Sequence, residues 1–302
     1  MKYKYFWALV VIVFFSTYLL NNLFTSTGFL QESKINSRDI NRWEYENGLI
    51  KDTHPFSISE NNETCWLMIH SYAATPLEMK SLGEKINNEF GDFVFAPLLS
   101  GHGELPGNLS GKNLNGWYEE IEFYYNQLDE NCENINLAGS SFGSILSLRL
   151  AENYEFNNLY ILNPFVTKTK RWYKPIPFET RIKFLANILE YDKKEKIAQI
   201  NDPEAREIHV AYWNMPIVPI RDSLPFIHLT INNLNKVSES ILIQQSSGDE
   251  TADIESSKII YNGVSSEIKE MKIFKKSNHV LLLDYDREEV IKNIIEFEKN
   301  NR

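Results

Sequence analysis

The sequence predicts an α/β domain in which a mostly parallel sheet is flanked by helices, with a helical insertion near its middle and an apolar helix at its N-terminus. Three observations predict it. Short apolar runs alternate with longer amphipathic stretches from about residue 55 onward, as parallel strands joined by crossover helices do. One of those runs, Ile135-Asn136-Leu137-Ala138, leads into Gly139-Ser140-Ser141-Phe142-Gly143, a G-x-S-x-G pentapeptide placed at a strand-to-helix turn. The length of 302 residues with 43% hydrophobic content suits one large core of roughly 200 to 250 residues plus an extension.

At the N-terminus, Lys2 and Lys4 precede Tyr5 to Leu20, a run without charge that Leu23 and Phe24 extend. Its length fits both a signal-peptide core and a bilayer-spanning helix. No A-x-A-like cleavage site follows, which favours reading residues 1–24 as an uncleaved signal anchor. The lysines ahead of the run place the N-terminus in the cytoplasm and the body of the protein on the extracytoplasmic side, periplasmic or extracellular. Residues 25–54 are polar and lack sustained periodicity, so they read as a tether with one short helix around Arg38 to Asn47. The folded domain is expected over 55–302.

Within it, strands are expected at Trp66 to His70, Phe93 to Pro97, Ile135 to Gly139, Leu159 to Asn163, Ile241 to Gln245 and Lys272 to Phe274. Pro76 to Asn88, Trp117 to Asp129, Phe142 to Tyr154 and Arg287 to Lys299 repeat apolar residues at three- and four-residue spacing and read as helices. The interval Val166 to Asn235 is rich in aromatics, among them Trp172, Tyr173, Phe178, Phe184, Tyr191, Tyr212, Trp213 and Phe226. A helical cap over the C-terminal edge of the sheet accounts for it, because ligands of α/β folds bind at that edge.

The formal charge of -10 leaves no basic excess to neutralise phosphates, which argues against nucleic acid as a partner. The two cysteines, Cys65 and Cys132, match no multi-ligand metal spacing. Each precedes an apolar run and falls at the N-terminal end of a parallel sheet. If those strands are neighbours, the thiols meet as a disulfide, which an exported domain permits; otherwise they remain two buried thiols.

A serine hydroxyl is a weak nucleophile at neutral pH and needs a general base, with a third group to orient that base. The glycines flanking Ser141 suit a strained elbow in which a side chain would collide with neighbouring backbone. In the elbow's usual chain order an acid and then a histidine follow the serine. Of the six histidines, only His279 lies beyond the last strand and directly before the final helix. Asp249 follows the strand Ile241 to Gln245 by a short turn, with Glu250 and Asp253 as competitors. Acyl transfer also needs backbone N–H donors for an oxyanion; Phe142 follows the nucleophile, and Tyr72 lies in the loop after Trp66 to Ile69.

In these motifs the chain resembles the monoacylglycerol lipase and bacterial carboxylesterase branch of the α/β-hydrolase superfamily. Members carry an H-G-F-T-G-T-P loop, a G-H-G turn, the G-x-S-x-G elbow, a G-x-x-D-like acid loop and an S-x-H-v-l-x-x-D segment. Here those places hold His70 to Pro76, Gly101-His102-Gly103, Gly139 to Gly143, Ser247-Gly248-Asp249, and Ser277-Asn278-His279-Val280-Leu281 with Asp284. The resemblance runs from about residue 55 to the end. It implies an α/β-hydrolase fold and a Ser141–Asp249–His279 triad, with Tyr72 and Phe142 as oxyanion donors and residues 166–235 as the cap over an acyl pocket. His102 is then a structural loop residue, and no metal or organic cofactor is needed.

Two departures stand out: Ser71 and Ala74 occupy positions that are glycine in the family's loop. A side chain there is expected to tilt the Tyr72 N–H or fill the pocket mouth. The expected activity is hydrolysis of carboxylic esters or monoacylglycerols through an acyl-enzyme. The alternatives are a non-catalytic, membrane-tethered lipid- or partner-binding protein and a serine aminopeptidase, although no clear acidic pair for a substrate amine occurs in the cap.

Overall fold

In this computed structural model the described residues are Ser16 and 39–302, apart from 60, 62, 170–175 and 195. The expected signal anchor apart from Ser16, the first part of the tether, and Trp172 and Tyr173 of the cap lie outside them. Among the described residues no helix is long and apolar enough to cross a membrane.

A hairpin of β1 (Tyr45–Glu46) and β2 (Leu49–Ile50) precedes the main sheet. It stands where the end of a short helix was expected. Asn47 and Gly48 connect its strands with φ of 51° and 87°, the two positive values that an Asn-Gly hairpin turn requires. Ile50 is fully buried and its N–H donates to the Gly103 carbonyl. The buried Asp39 carboxylate accepts from the N–H groups of Trp213 and Asn214. Residues of the segment read as a tether therefore pack on both the body and the insertion.

The central sheet is built from β3 (Phe56–Ile58), β4 (Thr64–Ile69), β5 (Phe93–Ala96), β6 (Asn134–Ser140), β7 (Asn158–Leu162), β10 (Ser240–Ser246) and β11 (Lys269–Phe274), in the order β11-β10-β7-β6-β4-β5-β3. All pairs are parallel except β3 with β5. Side chains alternate across it. From β4, Trp66 and Met68 join one buried face with residues of helices α1 (Lys80–Phe90) and α8 (Arg287–Asn301). Leu67 and Ile69 point to the other face, with α2 (Leu114–Asp129), α3 (Phe142–Ala151) and α7 (Glu255–Gly263). Each large apolar side chain withdrawn in this way contributes about 1.5–3 kcal/mol. Helix α1 starts later than expected because Pro76–Met79 forms a separate 3-10 turn.

The chain between β7 and β10 leaves the sheet. It carries α4 (Phe178–Leu185), β8 (Tyr191–Lys193), α5 (Pro203–Ile208), β9 (Asn214–Pro216) and α6 (Val218–Asn232), with β8 and β9 paired antiparallel. Ile182, Leu185, Leu189, Ile217 and Leu224 give this insertion a small core of its own. Cys65 and Cys132 are joined by a disulfide that links β4 to the turn before β6, strands that are indeed neighbours.

Candidate active site

The turn from β6 into α3 holds Ser141 at φ 55° and ψ −111°, a conformation that costs on the order of 1–3 kcal/mol in a residue with a side chain. Close packing explains why glycine flanks it. A Cβ at Gly143 would lie 2.3 Å from the Ile69 carbonyl oxygen, and one at Gly139 would lie 2.4 Å from that of Gly143. The turn is tied to the neighbouring strand: Ser141 N–H donates to the Leu162 carbonyl, while the Ser144 hydroxyl reaches the Gly139 and Leu162 carbonyls.

Three side chains from distant parts of the chain meet there. Ser141 Oγ lies 2.9 Å from His279 Nε2, and His279 Nδ1 lies 2.7 Å from Asp249 Oδ2. One tautomer makes both bonds at once, with Nδ1–H donating to the carboxylate and Nε2 accepting the serine proton. The other Asp249 oxygen accepts from the N–H groups of Thr251 and Ala252, which fixes the carboxylate plane. Of the three acids read from the sequence, Asp249 is the one that meets His279 Nδ1. Glu250 donates its N–H to the Asn278 side chain, and Asp253 accepts from the Glu255 N–H. All three members of the chain are buried.

The histidine loop is held from two sides. Asn163, at the end of β7, donates from Nδ2 to the Asn278 and His279 carbonyls and accepts the Ser246 N–H. Its φ of 40° is one that asparagine tolerates better than most residues. From the insertion, the Gln199 carbonyl accepts the His279 N–H at 3.0 Å. Asp284, fully buried, accepts from the N–H groups of Asn278, Asn201, Asp202 and Tyr285. Asn163 and Gln199 were not singled out in the sequence. The Asn163-Pro164 pair ending an apolar run was the one signal for the former.

Phe142 opens α3, so its N–H is among those without an acceptor inside the helix. Tyr72 packs its ring on Phe142 and Trp117, and its hydroxyl donates to the Pro216 carbonyl in β9 at 2.8 Å. Rings continue from Phe142 to Phe165 and on to Phe178 of α4, so an aromatic wall runs from the elbow into the insertion. His70 lies under the loop. Its Nδ1 is 2.9 Å from the Ser71 carbonyl and its Nε2 accepts the Leu99 N–H, and burial pushes its pKa down to about 4. His102 packs edge-on against His70 with Nδ1 at the Leu99 carbonyl. Ser71, expected to crowd the loop, turns its hydroxyl away to Glu78 and Ser140. Ala74 is buried and donates its N–H to the Ser71 carbonyl.

A mostly parallel sheet whose sixth strand turns sharply into a helix at a serine, with histidine and aspartate delivered by the two loops beyond it, defines the α/β-hydrolase fold. No protein-family model matches the chain. In sequence it is 26% identical over 255 residues to the thermostable monoacylglycerol lipase of Bacillus sp. (strain H-257), covering 82% of this chain and 95% of that protein. It is 24% identical over 245 residues to a carboxylesterase of Bacillus subtilis (strain 168), covering 80% and 95%. A solved structure from the metagenome-derived lipolytic enzymes LipS and LipT superposes with a TM-score of 0.75 at 22% identity, over 83% of this chain and 99% of that one. The chain has the α/β-hydrolase fold and is similar to monoacylglycerol lipases and carboxylesterases.

Proposed function

We propose that the protein is a serine carboxylic ester hydrolase of the carboxylesterase or monoacylglycerol lipase type. The observation that carries this reading is the unbroken hydrogen-bond chain from Ser141 Oγ through His279 to Asp249. Ser141 attacks the acyl carbon while His279 Nε2 takes its proton, and Asp249 holds the imidazole in the tautomer that can do so. The N–H groups of Tyr72 and Phe142 receive the oxyanion. As the tetrahedral intermediate collapses, the C–O bond to the alcohol breaks and His279 protonates the leaving oxygen. Water then attacks the acyl-enzyme, giving its proton to His279. Release of the carboxylic acid restores the Ser141 hydroxyl.

Carboxylesterase and monoacylglycerol lipase relatives support ester or acylglycerol substrates. The aromatic wall of Phe142, Phe165 and Phe178 suits an acyl chain. Attachment to a membrane by residues 1–24 rests on the amino-acid sequence alone. The Cys65–Cys132 disulfide fits a body on the oxidising, extracytoplasmic side.

Hydrolysis of p-nitrophenyl esters from acetate to palmitate, with Ser141→Ala in parallel, tests the reading. Turnover abolished by the substitution, with fluorophosphonate labelling lost alongside it, is the expected result. Neither labelling nor turnover by the wild-type chain would overturn it in favour of a binding protein. Labelling without ester turnover would point to a peptidase.

A further inference from the structure

Glu78 is a carboxylate buried to 1% exposure in the 3-10 turn Pro76–Met79, and the hydrolytic steps leave it without a task. Among the described residues its hydrogen-bond partners all belong to one residue. Oε1 accepts the Ser71 N–H and the Ser71 hydroxyl, the latter at 2.8 Å, and Oε2 lies 3.1 Å from the same hydroxyl. The Ser71 hydroxyl in turn lies 3.0 Å from Ser140 Oγ, on the residue immediately before Ser141. A carboxylate with so little access to water is costly unless its hydrogen bonds are made.

The geometry of Ser71 gives this arrangement a consequence for catalysis. No peptide bond among the described residues is cis, so each plane points its C=O and N–H in opposite directions. The plane between His70 and Ser71 has its carbonyl at the elbow, 2.8 Å from where a Cβ on Gly143 would lie, and its N–H on Glu78. The plane between Ser71 and Tyr72 has its carbonyl at His70 Nδ1, so the Tyr72 N–H faces away from that ring. Glu78 grips the first plane and His70 the second. With both held, the direction of the Tyr72 N–H is set before a substrate arrives.

We propose that Glu78, acting through Ser71, is a positioning residue: it clamps the oxyanion loop and couples it, by the Ser71–Ser140 hydroxyl contact, to the strand that carries the nucleophile. The inference rests on the ester-hydrolase reading. It also gives the serine that replaces the loop's family glycine a use, since glycine has no hydroxyl with which to join Glu78 to Ser140. A donor aimed at the oxyanion acts in the transition state and not in substrate binding, so a loosened clamp lowers kcat and leaves KM nearly unchanged.

The test compares active-site-titrated kcat and KM on one p-nitrophenyl ester for the wild-type chain, Glu78→Met, Glu78→Gln and Ser71→Ala. Methionine fills similar volume but cannot accept the Ser71 N–H, and kcat is expected to fall by about tenfold or more, short of the roughly 10²–10³ that deletion of an oxyanion donor costs. Glutamine keeps an acceptor oxygen and is expected to restore most of that loss. Ser71→Ala removes the hydroxyl's bonds to both Glu78 and Ser140 but leaves the Ser71 N–H on Oε1, and is expected to fall between them, which keeps the test decisive if Glu78→Met does not fold. Affinity for a trifluoromethyl ketone transition-state analogue should fall in step with kcat/KM. Equal kcat in Ser71→Ala and wild type, or a loss confined to KM, would overturn the clamp. A wild-type chain inactive on every ester, with Ser141 unlabelled, would overturn the hydrolase reading itself and the clamp's role with it.

Discussion

The main-chain N–H of His279 donates to the carbonyl of Gln199, a residue of the insertion, at 3.0 Å. The insertion therefore holds the histidine backbone. Asp284 strengthens the same joint, because its buried carboxylate collects N–H groups from Asn201 and Asp202 on one side and from Asn278 on the other.

Replacing Asp284 by alanine strands these donors in a place with no access to water. An unsatisfied buried donor costs about 1–3 kcal/mol, and local relaxation limits the sum. Asp284→Ala is expected to lose roughly 3 kcal/mol of stability in urea unfolding and to lower kcat as His279 drifts from Ser141. A variant that loses stability while its folded fraction keeps full kcat would break the link between the insertion and the histidine.

Asp249→Asn separates orientation from folding. The amide retains an oxygen that can accept from Thr251 and Ala252, as Oδ1 does now, so the melting temperature should change little. Its NH2 group now faces His279 Nδ1 and favours the tautomer with the proton on Nε2, which cannot accept from Ser141. A loss in kcat of roughly 10³–10⁴ is expected on that ground. A loss under about tenfold would assign the orienting role elsewhere.

Much of this arrangement was legible in the sequence, for physical reasons that also mark where legibility ends. Strands buried on both faces appear as continuous apolar runs, so Trp66 to Ile69, Leu159 to Leu162 and Ile241 to Ile243 were evident. The hairpin over residues 45–50 was passed over although Asn47-Gly48 carries its turn signal, because its two-residue strands are too short to show a period. Helix Glu255–Gly263 was passed over too, its apolar positions being few and its surface polar. In the site, motif order singled out Ser141, Asp249 and His279, which lie in one hydrogen-bonded chain. What order cannot supply is contact across the fold. Asn163 reaches the His279 carbonyl from 116 residues away, and Ser71 looked like an obstruction until Glu78 and Ser140 appeared beside its hydroxyl.

Buried titratable groups pull stability in opposite directions with pH. Burial lowers His70 from 6.5 to about 4 and His209 from 6.5 to about 3, so the unfolded chain binds protons there that the native chain does not. Their contribution is complete above pH 6.5 and is lost as pH falls. Burial raises Glu78 from 4.5 to about 7, against the pull of its Ser71 hydrogen bonds. Its native carboxyl keeps a proton that the unfolded chain releases, so its contribution is complete below pH 4.5 and is lost as pH rises through 7. His102 is lowered by burial as well, so between 4.5 and 6.5 the three histidines outweigh the Glu78 carboxyl, and these groups together make stability rise with pH. Removing the opposing group in Glu78→Gln should steepen that slope. Urea unfolding of both proteins at pH 5 and 6.5 checks it, and identical slopes would mean that Glu78 does not titrate in this range.

The disulfide lies at the opposite end of the sheet from the chemistry. Cys65 sits at the start of β4 and Cys132 just before β6, while Ser141 follows the last residue of β6. At about 3.3 Å per residue that separation is roughly 20 Å. The bridge spans a sequence separation of 67 residues, and closing a loop of that length in the unfolded chain is worth about 4 kcal/mol in the chain-entropy account. The double variant Cys65→Ala, Cys132→Ala is expected to lose about 2–4 kcal/mol in urea while its folded fraction keeps the wild-type kcat. Reductant should lower the urea midpoint of the wild-type chain and leave that of the double variant unchanged. If kcat fell along with the bridge at a temperature where the variant remains folded, β4 and β6 would be transmitting strain from the bridge to the loop at Tyr72 and the turn at Ser141.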